Sequence, residues 1–256
     1  KDATPILIEG LRKLEYRGYD SAGVALLNNS TLCVHKKKGR VSVLAEEVAK
    51  SPFAAHTGIS HTRWATHGGV TDENAHPHVS SDGNFALVHN GIIENYEQIK
   101  HFLTGKGYKF SSQTDSESLV NLISYHYFER TSVSDENRFM EAVRKALMHV
   151  EGTYGIAVIS KLSPGQIIAA RKGSPLIIGV GKNERLVSSD VLGFAGRAQN
   201  VIYLEDGQVA SVTPDSCDII TIGKKPIECV VSEIDWDLEN AELNGASHYM
   251  EKEIFE

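Results

Sequence analysis

Hydrophobic positions at the start of the chain recur with the three- and four-residue spacing of one helix face. The positions on that face are Ala3, Leu7, Leu11 and Leu14. They predict a helix over 2–16, with Thr4 as its cap and Pro5 in the first helical position. Further helical patterns lie near 41–50, 94–105, 116–129 and 136–149. Helices are therefore expected mainly in the first two thirds of the chain.

Most other apolar positions fall in short runs separated by turn residues, which is typical of antiparallel strands. The runs are 22–27, 31–35, 58–63, 85–90, 154–160, 166–171, 176–180, 185–189, 201–205, 208–213, 217–222 and 227–231. The sequence Glu205-Asp206-Gly207-Gln208 predicts a two-residue hairpin turn, because Asp-Gly accepts positive φ angles. The last two runs predict another hairpin. Consecutive hairpins together with amphipathic helices predict an α+β fold of layered antiparallel sheets.

Composition narrows the class of protein without identifying it. The chain has 256 residues, 41% hydrophobic and 23% charged, as in ordinary globular proteins. Its formal net charge of -7 argues against a nucleic-acid binder. No signal-peptide pattern is present, and no apolar run approaches the ~20 residues of a membrane span. Cys33, Cys217 and Cys229 match neither a disulfide framework nor a zinc spacing, so we expect a cytoplasmic protein without membrane contact.

A polar cluster at 61–69 follows one predicted strand and continues through 74–78. Loops at strand ends commonly carry binding groups, and Arg63 there could hold a carboxylate while Trp64 covers an apolar cavity. A surface salt bridge explains Arg63 equally well. The histidines invite a metal interpretation, with His76-Pro77-His78 as the tightest pair. No carboxylate or cysteine lies at a usual ligand spacing, so we predict no metal.

Three other clusters have ordinary structural explanations when each is taken alone. Residues 15–23 are explained as a glycine-containing turn between a helix and a strand. Asn90-Gly91, expected at a strand end, is either a common turn or a pair of oxyanion donors. Thr114 or Asp115 caps the following helix, and Asp115 could also bind an ammonium group. None of these clusters identifies a function by itself.

Taken together and in this order, the clusters closely resemble the glutaminase domains of glutamine–fructose-6-phosphate aminotransferases, enzymes that make glucosamine 6-phosphate. The stretches that carry the resemblance are Leu11 to Gly23, His61 to Gly68, His76-Pro77-His78, His89 to Tyr96 and Thr114-Asp115-Ser116-Glu117. The resemblance spans essentially the whole chain. It implies a class II glutamine amidotransferase that hydrolyses L-glutamine without a cofactor. A catalytically silent glutamine- or glutamate-binding module and the glutaminase of another class II amidotransferase are the alternatives.

The resemblance also implies a fold and a mechanism. The fold is that of N-terminal-nucleophile hydrolases, a four-layer α/β/β/α sandwich with two antiparallel sheets. A chain-initial cysteine attacks the amide carbon, and its α-amino group, with a pKa of ~7.7–8.0, is the base. The Asn90 side chain and the Gly91 N–H stabilise the oxyanion. Ammonia leaves, and water then hydrolyses the thioester.

Roles in substrate binding follow from the same resemblance. Arg63 pairs with the α-carboxylate of glutamine and Asp115 with its α-ammonium group. Thr66 and His67 are additional contacts to that end of the substrate. Trp64 corresponds to the gate of an ammonia channel, and Arg17 belongs to the lid region rather than to the chemistry.

The family pattern differs from this sequence at the amino end. The family begins with Cys-Gly-Ile-Val-Gly, whereas this sequence begins with Lys1-Asp2, and none of its three cysteines has a free α-amine. We therefore expect residues 1–235 to form a glutaminase domain without its first strand and its cysteine. Residues 236–256 are expected to be a linker toward a sugar-phosphate isomerase domain that binds fructose 6-phosphate. We expect the full-length enzyme to be a homo-oligomer.

Overall fold

The computed structural model describes residues 1–64, 68–129, 137–194 and 196–234. The helices in these ranges are α1 (Ala3–Leu14), α2 (Val41–Lys50), α3 (Tyr96–Gly105), α4 (Asp115–Phe128) and α5 (Arg138–Leu147). The strands are β1 (Ser21–Asn28), β2 (Thr31–Lys38), β3 (Thr57–Arg63), β4 (His78–Val79), β5 (Phe85–Ile93), β6 (Gly152–Ser160), β7 (Ile167–Lys172), β8 (Ile177–Gly181), β9 (Glu184–Ser188), β10 (Asn200–Tyr203), β11 (Gln208–Val212), β12 (Cys217–Thr221), β13 (Pro226–Ile227) and β14 (Ser232–Glu233).

The strands form three sheets. The largest has the order β13-β12-β11-β7-β6-β5-β4, and the smaller ones have the orders β2-β1-β3 and β14-β10-β8-β9. Every pairing between these strands is antiparallel. The predicted hairpin-rich α+β architecture is confirmed.

Side-chain alternation along the large sheet determines how the layers stack. One face, with residues such as Phe85 and Ile156, packs against α3, α4 and α5 in an apolar core. The opposite face packs against both smaller sheets, Ala157 joining the cluster of β1 and β3 and Ala169 that of β8 and β10. Helices α1 and α2 cover the outer face of the β2-β1-β3 sheet. The result is the four-layer α/β/β/α sandwich that the resemblance implied.

Helix α1 begins one residue later than predicted and has a different cap. Asp2 is the N-cap, and its carboxylate accepts a hydrogen bond from the Thr4 backbone N–H, so the prediction of Thr4 as the cap is wrong. Asp2 also accepts from the Ala55 N–H, which joins the helix start to the segment before β3. Pro5 still lies in the first turn, where a missing N–H costs no helical hydrogen bond.

One of the two predicted hairpins at the end of the chain differs from the structure, because its strands belong to different sheets. The turn at Glu205-Asp206-Gly207-Gln208 exists, with φ of 78° at Gly207, but β10 before it pairs with β8 and β11 after it pairs with β7. The predicted hairpin between 217–222 and 227–231 is confirmed in part, since β12 pairs antiparallel with β13, although β13 is confined to Pro226–Ile227. The turn at Asp206-Gly207 was predicted correctly, whereas the partners of the strands on either side of it were not.

Strand β5 is longer than predicted and carries site residues inside it. It continues to Ile93, so Asn90-Gly91 is neither a strand end nor an Asn-Gly turn. Asn90 pairs with Gly155 and Gly91 with Tyr154 in the ladder to β6. The ladder fixes the backbone of both residues, which is an advantage for groups that must be aimed accurately.

Candidate functional site

A cavity of about 720 Å³ runs between β3 and β9. Every residue of both strands lines it, together with one face of α1 and the ends of β5 and α4. In the described part of the chain, β3 pairs only with β1 and β9 only with β8. The unpaired edges of the two smaller sheets therefore border the same space. The cavity is long enough to extend from the start of α1 to the polar residues at the end of β3.

Arg63 and Asp115 lie at the polar end of this cavity, and both are buried. Arg63 ends β3, and its Nη1 donates to the Gly69 carbonyl at 3.2 Å. Asp115 opens α4 and accepts from the backbone N–H groups of Ile93 at 2.8 Å and Ser116 at 2.9 Å. Burial lowers the pKa of Arg63, while the charges of Asp20 and Asp115 act in the opposite direction. The cavity thus presents a cation and an anion that are both held by the backbone around them.

Thr114 caps α4 through its backbone alone. Its φ and ψ are those of an N-cap, but its side chain makes no capping hydrogen bond to the helix. The Thr114 hydroxyl instead lies 3.0 Å from His78 Nε2. Asp115 is the first helical residue, so its carboxylate lies at the positive end of the helix dipole, which stabilises a negative charge there.

Asn90 and Gly91 line the same cavity from β5. Gly91 has φ of 134°, and a Cβ atom on it would lie 2.2 Å from the Thr153 carbonyl oxygen, so no other residue fits this backbone. The Asn90 side-chain oxygen lies 2.7 Å from His61 Nε2 on β3. A side-chain amide and an adjacent glycine N–H on a fixed strand are groups that can stabilise a developing oxyanion.

The half-buried His61 and the buried His76, His78 and His89 form a polar cluster at the cavity wall. The rings of His61 and His76 lie 4.4 Å apart and those of His76 and His78 4.7 Å apart. His76 Nε2 and His89 Nδ1 both lie near the Ser116 hydroxyl, at 3.0 Å and 2.9 Å. Burial lowers the pKa of His61 to about 4 and the pKa values of His76 and His78 well below the ordinary range. These three rings are therefore neutral at physiological pH.

The histidine cluster does not have the arrangement of a metal centre. Among the described residues, no group of three or more histidine, cysteine or carboxylate side chains is placed to hold a metal ion. His76 and His78, the pair that the sequence singled out, are directed toward the hydroxyls of Ser116 and Thr114. Their contacts join the cluster to the first turn of α4.

Two of the other predicted site residues, Trp64 and Arg17, lie at the border of the cavity. Trp64 is 61% exposed and meets Tyr19 edge to face, with 6.5 Å between ring centroids. Arg17 donates from Nη1 to the Ser189 hydroxyl at 3.2 Å and lies 3.8 Å from the Asp190 carboxylate. Both residues border the cavity. The predicted contacts Thr66 and His67 lie outside the described residues.

The three cysteines of the sequence lie away from this site. None of them lines the cavity. Cys33 lies on β2 beside His35, and Cys229 donates from its thiol to the Cys217 carbonyl at 2.9 Å. Burial raises the pKa of the Cys33 thiol and raises the pKa of Cys217 to about 12. The Cys33 and Cys217 thiols therefore lack the lowered pKa of a cysteine nucleophile.

Comparison with known proteins decides the family. The glutamine amidotransferase domain matches residues 61–194, which is just over half of the chain and includes the cavity-lining ends of β3, β5 and α4. The chain belongs to this family. The buried Arg63 and Asp115 and the half-buried Asn90 all lie within the matched range.

Curated relatives extend the match over the whole chain. A glutamine–fructose-6-phosphate aminotransferase of Caldanaerobacter subterraneus is 46% identical over 256 residues, and one of Chlorobaculum tepidum is 49% identical over 259 residues. Each match covers 100% of this chain and 41% of the relative. The chain therefore spans less than half the length of the curated relatives that it matches.

Solved structures support the fold independently of close sequence similarity. The glutamine phosphoribosylpyrophosphate amidotransferase of B. subtilis matches with a TM-score of 0.73 at 24% identity, covering 87% of this chain and 47% of that one. At 24% identity, this match supports only the fold. It agrees with the layered arrangement of sheets and helices described above.

Sequence reasoning found the residues that line the cavity but missed the hydrogen bonds behind them. His61, His89 and Ser116 all lay inside the stretches that carried the resemblance, yet none was given a role. The sequence signal that could have singled them out is a polar residue that alternates with apolar ones along a strand. It could not have revealed the partners, because His61 and Asn90 are 29 residues apart and meet only through packing.

Proposed function

We propose that this domain hydrolyses L-glutamine to glutamate and ammonia, as the glutaminase half of a glutamine–fructose-6-phosphate aminotransferase. The observation that carries the proposal is the presence of Arg63, Asp115 and the Asn90-Gly91 pair along one cavity. The relatives that match the whole chain at 46% and 49% identity support the choice of acceptor. Because those relatives are more than twice as long, the transfer to fructose 6-phosphate concerns the full-length enzyme.

The opposite charges at the polar end of the cavity match the two charges of a free amino acid. The Arg63 guanidinium binds the α-carboxylate through paired N–H bonds, and the Asp115 carboxylate binds the α-ammonium group. Both side chains are buried, so their interactions with a ligand are screened less than surface pairs are. Thr66 and His67 add contacts to the same end of the substrate. Glutamine is then oriented with its side-chain amide toward Asn90 and Gly91.

The Asn90 amide and the Gly91 N–H stabilise the tetrahedral oxyanion. Donors of this kind act on charge that develops only in the transition state, and one of them is worth about 3 kcal/mol. Their position inside β5 supports this role, since the ladder to β6 holds both residues before substrate arrives. No reorganisation is then needed at the moment of reaction.

The nucleophile of the proposed reaction is the cysteine at the start of the family's short first strand. The unpaired edges of β3 and β9 on one cavity support a place for that strand between the two smaller sheets. Its thiolate would attack the amide carbon, and its α-amino group would take up the proton and return it to the leaving ammonia. The raised thiol pKa values of Cys33 and Cys217 make them unsuitable for this step.

The wider assignments belong to the same proposal. Residues 1–235 form the glutaminase domain, and residues 236–256 lead toward the isomerase domain that binds fructose 6-phosphate. Trp64, which is exposed at the cavity border, gates the passage of ammonia between the two. The full-length enzyme is a cytoplasmic homo-oligomer. In the described part of the chain, no helix has both the length and the apolar character needed to cross a membrane.

The first test is glutamate release from L-glutamine, measured for the 256-residue chain and for the same chain preceded by Cys-Gly-Ile-Val-Gly and a short spacer. We expect turnover only when the cysteine-initiated strand is present. Absence of turnover in both, with L-glutamate still bound, would favour a catalytically silent binding module instead.

The second test addresses the pocket by calorimetric titration with L-glutamate. Arg63→Ala and Asp115→Ala should each abolish measurable binding, because each leaves one charge of the ligand without a partner in a buried site. Arg12→Ala, on the exposed face of α1, is the matched control and should bind normally. Unchanged affinity in both pocket variants would refute the assignment.

A further inference from the structure

The contact between His61 and Asn90 joins two strands of different sheets at the wall of the cavity. His61 lies on β3 and Asn90 on β5, and the 2.7 Å between Nε2 and Oδ1 is a short hydrogen bond. Both residues line the cavity. We infer that His61 is a positioning residue, which fixes the side-chain amide of Asn90 with its N–H group toward the reacting oxygen. The inference rests on the proposed glutaminase function.

The direction of this hydrogen bond follows from the chemistry of its two atoms. A side-chain amide oxygen only accepts, so the hydrogen is on His61 Nε2. Burial lowers the pKa of His61 to about 4, which leaves the neutral ring with a single N–H. His61 Nδ1 is buried without a hydrogen-bond partner among the described residues. An unpartnered lone pair there costs less than an unpartnered N–H would, which again places the hydrogen on Nε2.

The orientation of the amide decides whether Asn90 helps or hinders the reaction. With Oδ1 held by His61, the Nδ2 group is turned to the opposite side of the amide and can donate to an oxyanion. A flipped amide would direct its oxygen at the developing negative charge and repel it. The free amide of an unrestrained asparagine samples both orientations, so the hydrogen bond from His61 removes the unproductive one.

The surroundings of His61 hold the ring in place. Its backbone pairs with Gly23 on β1, and its ring packs 4.4 Å from that of His76. A Cβ atom on Gly23 would lie 2.2 Å from the His76 carbonyl oxygen, so the segment carrying His76 rests directly on β1. The donor that orients Asn90 is therefore fixed by backbone contacts on one side and by a second buried ring on the other.

The position of the proton on the His61 ring can be measured in the absence of any catalytic activity. Long-range nitrogen–proton correlation spectra of the 256-residue chain should show the His61 ring with its proton on Nε2 at about pH 7 and still neutral at about pH 5.5. Asn90→Ala should shift the Nε2 resonance. A proton on Nδ1, or a charged ring at about pH 6, would overturn the inference whatever the chain catalyses.

The kinetic test uses the active, cysteine-initiated protein. His61→Phe removes the donor and keeps the ring, and we expect kcat for glutamine hydrolysis to fall about 10- to 100-fold with KM changed less than about twofold, since only transition-state binding is affected. His61→Gln, which retains an amide N–H, should lose less than about tenfold. His35→Gln, on β2 away from the cavity, is the control for histidine replacement.

A double-mutant cycle separates positioning from general structural damage. In the Asn90→Ala background, His61→Phe should change kcat less than about twofold, because the group through which it acts is gone. Equal losses in both backgrounds, or a raised KM with unchanged kcat, would overturn the inference. If His61→Phe does not fold, His61→Gln carries the same cycle. Absence of hydrolysis by the parent protein would contradict the proposed function instead, and the tautomer measurement would still decide the role of His61.

Discussion

The two ends of strand β5 differ sharply in chemistry. At its start, Phe85 and Leu87 face the helical layer, while Ala86 and Val88 face the smaller sheets, so both faces are apolar. A few residues later, the 89–91 stretch has a histidine bonded to Ser116, an asparagine bonded to His61 and a glycine at the cavity. One strand therefore combines apolar packing at its start with polar, cavity-lining groups farther along.

The difference shows that the two ends depend on different kinds of interaction. Burial of apolar surface stabilises the first end at about 25 cal/mol per Å² without any demand on orientation. At the second end, each buried polar group must find a partner to offset its loss of water. Several buried atoms there, His61 Nδ1, His76 Nδ1 and Ser21 Oγ, have no partner among the described residues. The buried polar groups around residues 89–91 therefore stabilise the fold less than an equal buried area of apolar side chains would.

The largest expected effect comes from the apolar end. Phe85 is fully buried and packs against Tyr127 and Phe139, with ring centroids 5.2 Å and 5.8 Å away. Phe85→Ala should lower the free energy of unfolding by about 3–5 kcal/mol, since it leaves a cavity in the helical core. Urea unfolding would measure the loss, and Phe102→Ala, at a 43% exposed position, should cost far less. A comparable loss in both variants would contradict the comparison.

A smaller effect is expected at the polar end. Ser116→Ala removes the hydroxyl that lies near both His76 and His89 and should lower the free energy of unfolding by about 1–3 kcal/mol. Ser118 on the same helix is also buried, but its hydroxyl has no hydrogen-bond partner among the described residues. Ser118→Ala should therefore be close to neutral. Equal destabilisation by the two substitutions would mean that the hydrogen bonds of Ser116 add nothing.

The third test changes only pH and leaves the sequence intact. Burial lowers the pKa of His61 to about 4, so between pH 4 and the ordinary value of 6.5 the unfolded chain binds more protons than the folded one. Stability is therefore complete above about pH 6.5 and falls as pH drops, by about 1.4 kcal/mol per pH unit for each such histidine. His76 and His78 act in the same direction.

Urea unfolding at several pH values between about 7.5 and 4.5 would measure this slope, which His61→Phe should reduce. Arg144 lowers the pKa of Glu141 to about 2, so the stability that this carboxylate contributes is lost as pH falls from its ordinary 4.5 toward 2, below the window measured. A free energy of unfolding that stays constant across the window would mean that the histidines are not buried as neutral rings.

Prediction from the sequence succeeded where the governing interactions are local. Helix periodicity located α2 at 41–50 as observed, and apolar runs located β3 and β6 to within two residues. The resemblance named Arg63, Asp115, Asn90 and Gly91, which the structure brings to one cavity.

Prediction failed where partners lie far apart in the chain. Asn90-Gly91 reads locally as a turn, and only the ladder to β6 keeps it extended as far as Ile93. The hydrogen bond from His61 to Asn90 depends on two sheets packing together, which no spacing within one strand reveals. Roles for the individual site residues remain predictions that the proposed experiments test.

The turn at Glu205-Asp206-Gly207-Gln208 has a consequence for how the chain reaches this structure. The chain leaves the large sheet after β7, builds β8, β9 and β10 in a smaller sheet, returns for β11, β12 and β13, and crosses again to β14. Each of these two sheets is therefore built from segments that are separated along the chain by strands of the other. Their assembly depends on contacts between distant parts of the chain, the topology for which folding is slow.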